Sequence, residues 1–167
     1  MPSAPPRKRI LIVEDEPDTR IFLTTLLRSG GFEPLSSSGS APELASALGK
    51  RPDLVILDIM LANERGIQIY KNLKADPRLR DVPVILLSAI DRDTFFHYQR
   101  FQDVFPNLGI PRPEAYLEKP PEAEELLRWV HALSAAPRRG DVSGRYRKPV
   151  ARKTASEPVR PTRPRNP

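Results

Sequence analysis

Short apolar runs recur along this chain, with a helical pattern after nearly every one: Arg9–Val13, Leu54–Leu57, Val82–Leu87 and the short Ala115–Glu118, with Phe32–Ser36 as a weaker candidate between the first two. Continuous apolar runs of this length are read as strands buried on both faces. Strands of that kind, alternating with amphipathic helices, can be satisfied only by a parallel sheet covered on both sides. The expected fold is therefore α/β, a five-stranded parallel sheet with helices on both faces. Right-handed crossovers place the C-terminal ends of the strands along one edge, where open α/β sheets bind their ligands.

The helical stretches carry their own punctuation. Pro17 suits a first helical turn, where its missing N–H is not needed. Phe22, Leu23, Leu26 and Leu27 then share one face, and Gly30-Gly31 stop the helix. Ser40 with Glu43 forms a capping-box pattern opening a helix with Leu44, Ala47 and Leu48, ended by Gly49. Gly66 precedes a helix presenting Ile69, Tyr70 and Leu73, which Asp76-Pro77 ends. Asp91–Phe105 reads as a helix rich in aromatics (Phe95, Phe96, Tyr98, Phe101), which we take as core packing, followed by a Pro/Gly loop over Pro106–Pro113. Leu126, Leu127, Val130 and Leu133 mark a last helix, with Glu122, Glu124 and Glu125 near its positive end. His97, His131 and Trp129 are read as surface or half-buried helix residues.

Composition matters chiefly through its unevenness. The net charge is +6, yet residues 137–167 hold ten Lys/Arg against two Asp/Glu, so residues 1–136 carry a net −2. That basic tail is rich in Pro and Arg and too poor in apolar residues to offset the entropy of ordering, so disorder is expected there and over residues 1–8. The folded unit is expected over 9–136. The tail is read first as a solvated end; the alternatives are an electrostatic arm for nucleic acid or acidic membrane, with any nucleic-acid binding weak and salt-sensitive, and a docking segment for a protein. The chain has no cysteine, hence no disulfide framework or thiolate metal site. No apolar run reaches membrane-spanning length, and Ile10–Val13 is too short for a signal core, so a cytoplasmic location is expected.

Polar residues close four of the strands: Glu14-Asp15, Asp58, Ser88 and Lys119. Far apart in sequence, they converge on one sheet edge. Asp58 is the most demanding, because an unpaired charge at the end of a buried strand is costly. Clustered carboxylates suit a hard cation such as Mg²⁺, a carboxylate can act as a nucleophile towards phosphorus, and a Lys and a hydroxyl can hold phosphoryl oxygens.

The segments Ile12-Val13-Glu14-Asp15, Leu57-Asp58-Ile59-Met60-Leu61, Leu87-Ser88-Ala89 and Tyr116-Leu117-Glu118-Lys119-Pro120 resemble the marks of the response-regulator receiver domain, a doubly wound (βα)5, flavodoxin-like fold of two-component signalling. The resemblance covers Arg9 to about Ser134. It implies that Asp58 accepts a phosphoryl group from a phosphohistidine of a sensor histidine kinase or phosphotransfer protein. It implies Mg²⁺ held by Asp15 and Asp58, by the Met60 backbone carbonyl, and by Glu14 through water. Ser88 and Lys119 would hold the phosphoryl group, Lys119-Pro120 would be cis, and Tyr116 would be the switch aromatic that turns inward. Met60, Ala89 and Ile90 would flank the site: small Ala89 would leave the donor's approach open, and apolar Met60 and Ile90 would shield the product from water.

The chain departs from that pattern in places. Glu14 stands where the family usually has Asp, and Ala62 where Pro is common. Ser88 to Lys119 spans 31 residues, longer than the compact pattern, with the excess over 91–114. The implied function is a stand-alone receiver that signals to an unnamed downstream protein and catalyses nothing beyond its own phosphorylation and dephosphorylation. A dehalogenase-type phosphatase would want a second Asp where Met60 stands. A pseudo-receiver, a fold kept without phosphorylation, is opposed by the intact Asp15, Asp58, Ser88 and Lys119.

Overall fold

A computed structural model describes residues 6–62, 65–91, 93–94 and 111–135. The elements run β1 (Arg9–Val13), α1 (Pro17–Ser29), β2 (Glu33–Ser37), α2 (Ala41–Gly49), β3 (Leu54–Asp58), α3 (Arg65–Ala75), β4 (Val84–Ser88), β5 (Ala115–Glu118) and α4 (Ala123–Ala135). Most of the segment 91–114, the aromatics from Phe95 to Phe105, and the tail lie outside the described residues, as do residues 1–5 of the N-terminus.

The five strands form one parallel sheet in the order β2-β1-β3-β4-β5. Every residue of β3 is buried, because this strand lies at the centre with helices on both sides. Alternate strand residues point to opposite faces. Ile10, Ile12, Leu54, Ile56, Ile85 and Leu87 pack with Leu23 and Leu27 of α1 and Leu126 and Val130 of α4. Leu11, Val13, Val55, Leu57 and Leu86 pack on the other face with Ala47 of α2 and Ile69, Tyr70 and Leu73 of α3. The order reverses at β1, so the ends of β1 and β3 flank the topological switch point, where ligands of such sheets bind.

Three local expectations need correction. Phe22 does not join the apolar face of α1; it is 43% exposed, as Ile21 is 64% exposed, because the buried stripe runs through Leu23 and Leu27. Ser40 is the N-cap of α2 but makes no side-chain cap bond; Glu43 instead accepts hydrogen bonds from the Ser38 N–H and hydroxyl, both at 2.7 Å. The second strand runs Glu33–Ser37 and the fourth begins at Val84, one and two residues later than expected, since Phe32 and Val82 turn into the core ahead of the ladder.

Gly66 fixes the approach of α3 to the site. A Cβ there would overlap the Asp58 carbonyl oxygen and the Ile59 backbone, so only glycine lets the helix start against the end of β3. Overpacking of this kind costs about 1–3 kcal/mol. Gly66→Ala is expected to lower the urea midpoint by that amount of stability. Gly49→Ala, which meets nothing within 4 Å, should leave it nearly unchanged, and equal midpoints for the two variants would refute the close approach.

Candidate functional site

The edge made by the C-terminal strand ends brings the polar residues together. Single ligand oxygens of Glu14, Asp15 and Asp58 all lie within 4.8 Å of one another. Glu14 and Asp58 are 1% and 2% exposed; Asp15 is half-buried. Lys119 reaches in from the end of β5, its Nζ 2.6 Å from Glu14 Oε2 and 2.9 Å from Asp58 Oδ2. Three carboxylates and one ammonium leave a formal deficit of two positive charges. A divalent, oxygen-seeking cation matches both the charge and the donor set, so these residues fit Mg²⁺.

Asp58 is held by both oxygens. Oδ1 accepts the Met60 N–H at 2.8 Å and Oδ2 meets Lys119, so the carboxylate has one orientation. Asp15 Oδ2 accepts the Ala62 N–H at 3.0 Å, tying the loop after β1 to the loop after β3. Ser88 is fully buried at the end of β4 and its Oγ accepts the Ile90 N–H at 3.0 Å. Tyr116 is 7% exposed, and its hydroxyl donates to the Ile90 carbonyl at 2.7 Å. Its ring therefore packs inward, on the sheet face of α2 and α3. The Lys119-Pro120 peptide is cis. Met60 is 54% exposed, Ala89 is exposed and Ile90 is half-buried, so all three stand at the rim.

One contributor escaped the sequence reading. Arg20, in the second turn of α1, donates to the Glu14 carbonyl at 2.7 Å and the Asp15 carbonyl at 3.3 Å. It fixes the backbone carrying the acidic pair. An arginine one to two turns into the helix after that pair was the only available signal, and it is a weak one. Glu16 does occupy the N-cap of α1, but its carboxylate takes the Thr19 hydroxyl at 2.6 Å rather than a helix N–H.

The electrostatics follow from burial and pairing. Burial raises the Glu14 pKa and the Asp58 charge adds to this, against the lowering effect of hydrogen bonds from Lys119 and the Glu16 N–H. For Lys119 burial acts downward, but Glu14 and Asp58 outweigh it and hold the pKa above the usual lysine value. Lys119 thus stays charged through neutral pH, and its stabilising contribution is lost only as pH rises through that elevated value.

Comparison with known proteins fits this geometry. The response regulator receiver domain family matches residues 10–103. Protein PilH of Pseudomonas aeruginosa is 30% identical over 127 residues, covering 76% of this chain and 98% of that protein. The phosphate regulon transcriptional regulatory protein PhoB of Escherichia coli K12 is 38% identical over 82 residues, 49% of this chain but only 36% of PhoB. The receiver domain of a sensor histidine kinase from Pseudomonas aeruginosa PAO1, solved with a magnesium ion coordinated in its active-site cleft, superposes with TM-score 0.63 at 25% identity, over 78% of this chain and all of that one. Chemotaxis protein CheY4 of Vibrio cholerae shares the fold at TM-score 0.63 and 20% identity, over 77% of this chain and 99% of that one. No described helix is long and apolar enough to cross a membrane.

A raised carboxyl pKa means that the folded chain holds the Glu14 proton more tightly than the unfolded chain does. Ionised Glu14 therefore costs stability at neutral pH, and the cost fades as pH falls through its raised range towards the ordinary value of 4.5. Glu14→Gln is expected to raise the melting temperature of the metal-free protein at pH 7 by a few degrees, with a smaller gain at lower pH, while weakening Mg²⁺ binding. Calorimetry across pH and a Mg²⁺ titration check this; a lower melting temperature at pH 7 would contradict it. By the residues at its strand ends and by its match to that family, the chain belongs to the response regulator receiver domains of two-component signalling.

Proposed function

We propose that the chain is a phosphoacceptor that takes a phosphoryl group onto Asp58 from the phosphohistidine of a sensor histidine kinase or phosphotransfer protein. One observation carries the reading: Asp58 is buried, its carboxylate is oriented by the Met60 N–H and Lys119, and two further carboxylates stand beside it. A structural carboxylate would not be expected to gather Glu14 and Asp15 against mutual repulsion.

In the step proposed, an Asp58 carboxylate oxygen attacks phosphorus, the P–N bond to the donor imidazole breaks with its electron pair going to nitrogen, and an acyl phosphate forms. The imidazole recovers its neutral form by exchange with solvent. Phosphoryl transfer of this kind needs positioning and charge neutralisation more than covalent assistance. Asp15 and Asp58 would hold Mg²⁺ with the Met60 carbonyl, and Glu14 through water; the ion supplies charge neutralisation between the carboxylates and the incoming phosphoryl oxygens. Lys119, freed from Asp58 as the carboxylate becomes an acyl phosphate, turns to a phosphoryl oxygen. The Ser88 hydroxyl donates to another. Tyr116, bonded to the Ile90 carbonyl, would carry this change to the surface around β5 and the chain after β4, where a downstream protein would bind.

On this reading the chain is a signalling component rather than a turnover enzyme. Incubation with Mg²⁺ and acetyl phosphate is expected to place acid-stable, base-labile phosphate on the wild type and none on Asp58→Ala. An unlabelled wild type would favour the unphosphorylated pseudo-receiver.

The rim sets the lifetime of the product. Exposed Met60 and half-buried Ile90 present apolar surface beside Asp58 and hinder a water from in-line attack. Met60→Asn and Ile90→Glu are each expected to speed dephosphorylation several-fold; unchanged decay would remove this role. The net +8 of residues 137–167 supports a second reading, weak nucleic-acid binding. Gel shifts that weaken steeply with salt and vanish without those residues would establish it.

A further inference from the structure

The far end of β5 holds a charged pair outside the phosphoacceptor site, its lysine buried and its glutamate partly exposed. Lys74, in the last turn of α3, has a side chain only 1% exposed, and its Nζ stands 3.6 Å from Glu114 Oε1. The same ammonium donates to the Val82 carbonyl at 2.9 Å and the Arg80 carbonyl at 3.3 Å, the stretch that leads into β4. Glu114, immediately ahead of β5, is bonded to one residue of β4 in both directions. Its N–H donates to the Val84 carbonyl at 3.2 Å, and its Oε2 accepts the Val84 N–H at 2.7 Å. One turn back along α3, the Tyr70 hydroxyl donates to the Pro111 carbonyl at 2.5 Å. Helix α3 thus grips the chain just before β5 begins.

That grip matters because β5 has little else to hold it. It is the shortest strand, four residues at the sheet edge, paired with β4 alone. Yet two site residues depend on its register. Tyr116 lies opposite Leu86, and the Lys119 N–H continues the ladder to the Ser88 carbonyl at 2.8 Å. A slip of one residue would move Lys119 by about 3.3 Å and turn Tyr116 to the other face. The cluster adds one ordered side-chain rung and an ion pair to a four-residue ladder. A buried lysine is also an expensive way to fill space, because an apolar pair of similar volume would serve stability as well. The natural explanation is that the cluster sets geometry.

We propose that Glu114 and Lys74 are positioning residues for phosphorylation, locking the register of β5 from its N-terminal end so that Lys119 meets Asp58 and Tyr116 meets Ile90 at the other. The proposal rests on Asp58 being the phosphoacceptor. It separates from a merely structural role through two variants. Glu114→Ala removes the tie and leaves the buried Lys74 ammonium without this carboxylate, held by the Arg80 and Val82 carbonyls and over the Tyr70 ring. Lys74→Met with Glu114→Ala removes the tie and the charge together. A structural role makes the rate follow stability, so the double variant recovers. A positioning role makes both variants slow, whatever their stability.

The experiment measures phosphorylation by acetyl phosphate with Mg²⁺ over a range of donor concentrations, beside the thermal midpoint of each protein. Arg78→Gln, in an exposed ion pair with Asp76 at the same end of the sheet, is the control. Both variants are expected to lose about tenfold in the maximal rate at an unchanged half-saturating donor concentration, because Lys119 acts on the transferring group. The double variant should melt above the single, and the control should match the wild type. Wild-type rates in either variant, or recovery in the double variant alone, would overturn the positioning role with the phosphoacceptor intact. A wild type that takes no phosphate would overturn the phosphoacceptor reading and this proposal with it.

Discussion

Three carboxylates crowded at a buried sheet edge can coexist only if something offsets their repulsion, and within the chain that task falls to Lys119. Its ammonium bridges Glu14 and Asp58, the two most buried members of the group. Such a bridge is more than a local contact. Glu14 follows β1, Asp58 ends β3 and Lys119 follows β5, so one ion-paired group ties the β5 edge of the sheet to the two interior strands β1 and β3. On the proposed function, an ammonium satisfied by two carboxylates is reassigned when one of them becomes an acyl phosphate, so the interaction that permits the resting arrangement also responds to its loss.

Much of this was legible in the residues because burial and chemistry left separate marks. The interior strands β1, β3 and β4 announce themselves as apolar runs, since a parallel sheet under helices buries them on both faces, while the edge strand β2, with Glu33, Pro34, Ser36 and Ser37, shows no such run. The site announces itself as the polar residue ending each run. Where the reading erred, the competing force was local. Glu43 had the spacing to serve Ser40, but the Ser38 N–H and hydroxyl offered it two donors at once. Phe22 had helical spacing with Leu26, but the face meeting the sheet is narrower than that and centres on Leu23 and Leu27. The ion pair of Lys74 with Glu114 could not be read at all. Forty residues separate the partners, and a lysine in the last turn of a helix ordinarily signals nothing more than a favourable place in the helix dipole.

The two ends of the sheet divide the work. At one end the strands deliver chemistry on short loops, where Ala62, Met60 and Ile90 supply or are held by backbone bonds to Asp15, Asp58 and Ser88. Each acidic or hydroxyl side chain of the site is thereby oriented by a backbone N–H a few residues away or on the neighbouring loop. Rigidity at the site thus comes from the main chain.

The opposite flank of the sheet has a different concern. Strand β2 lies at the edge, and its outer side offers backbone groups to any passing strand. In a parallel ladder, successive residues turn their amides alternately inward and outward. The Glu33 N–H donates inward, to Lys8, so the next residue faces out, and that residue is Pro34. A proline has no amide to offer, and its ring stands where an incoming backbone would need to lie. This leaves Ser36 as the outward donor within the strand. Growth of the sheet by edge-to-edge addition, the route by which exposed strands seed aggregates, is thus blunted at its first rung by a residue that costs the native ladder nothing.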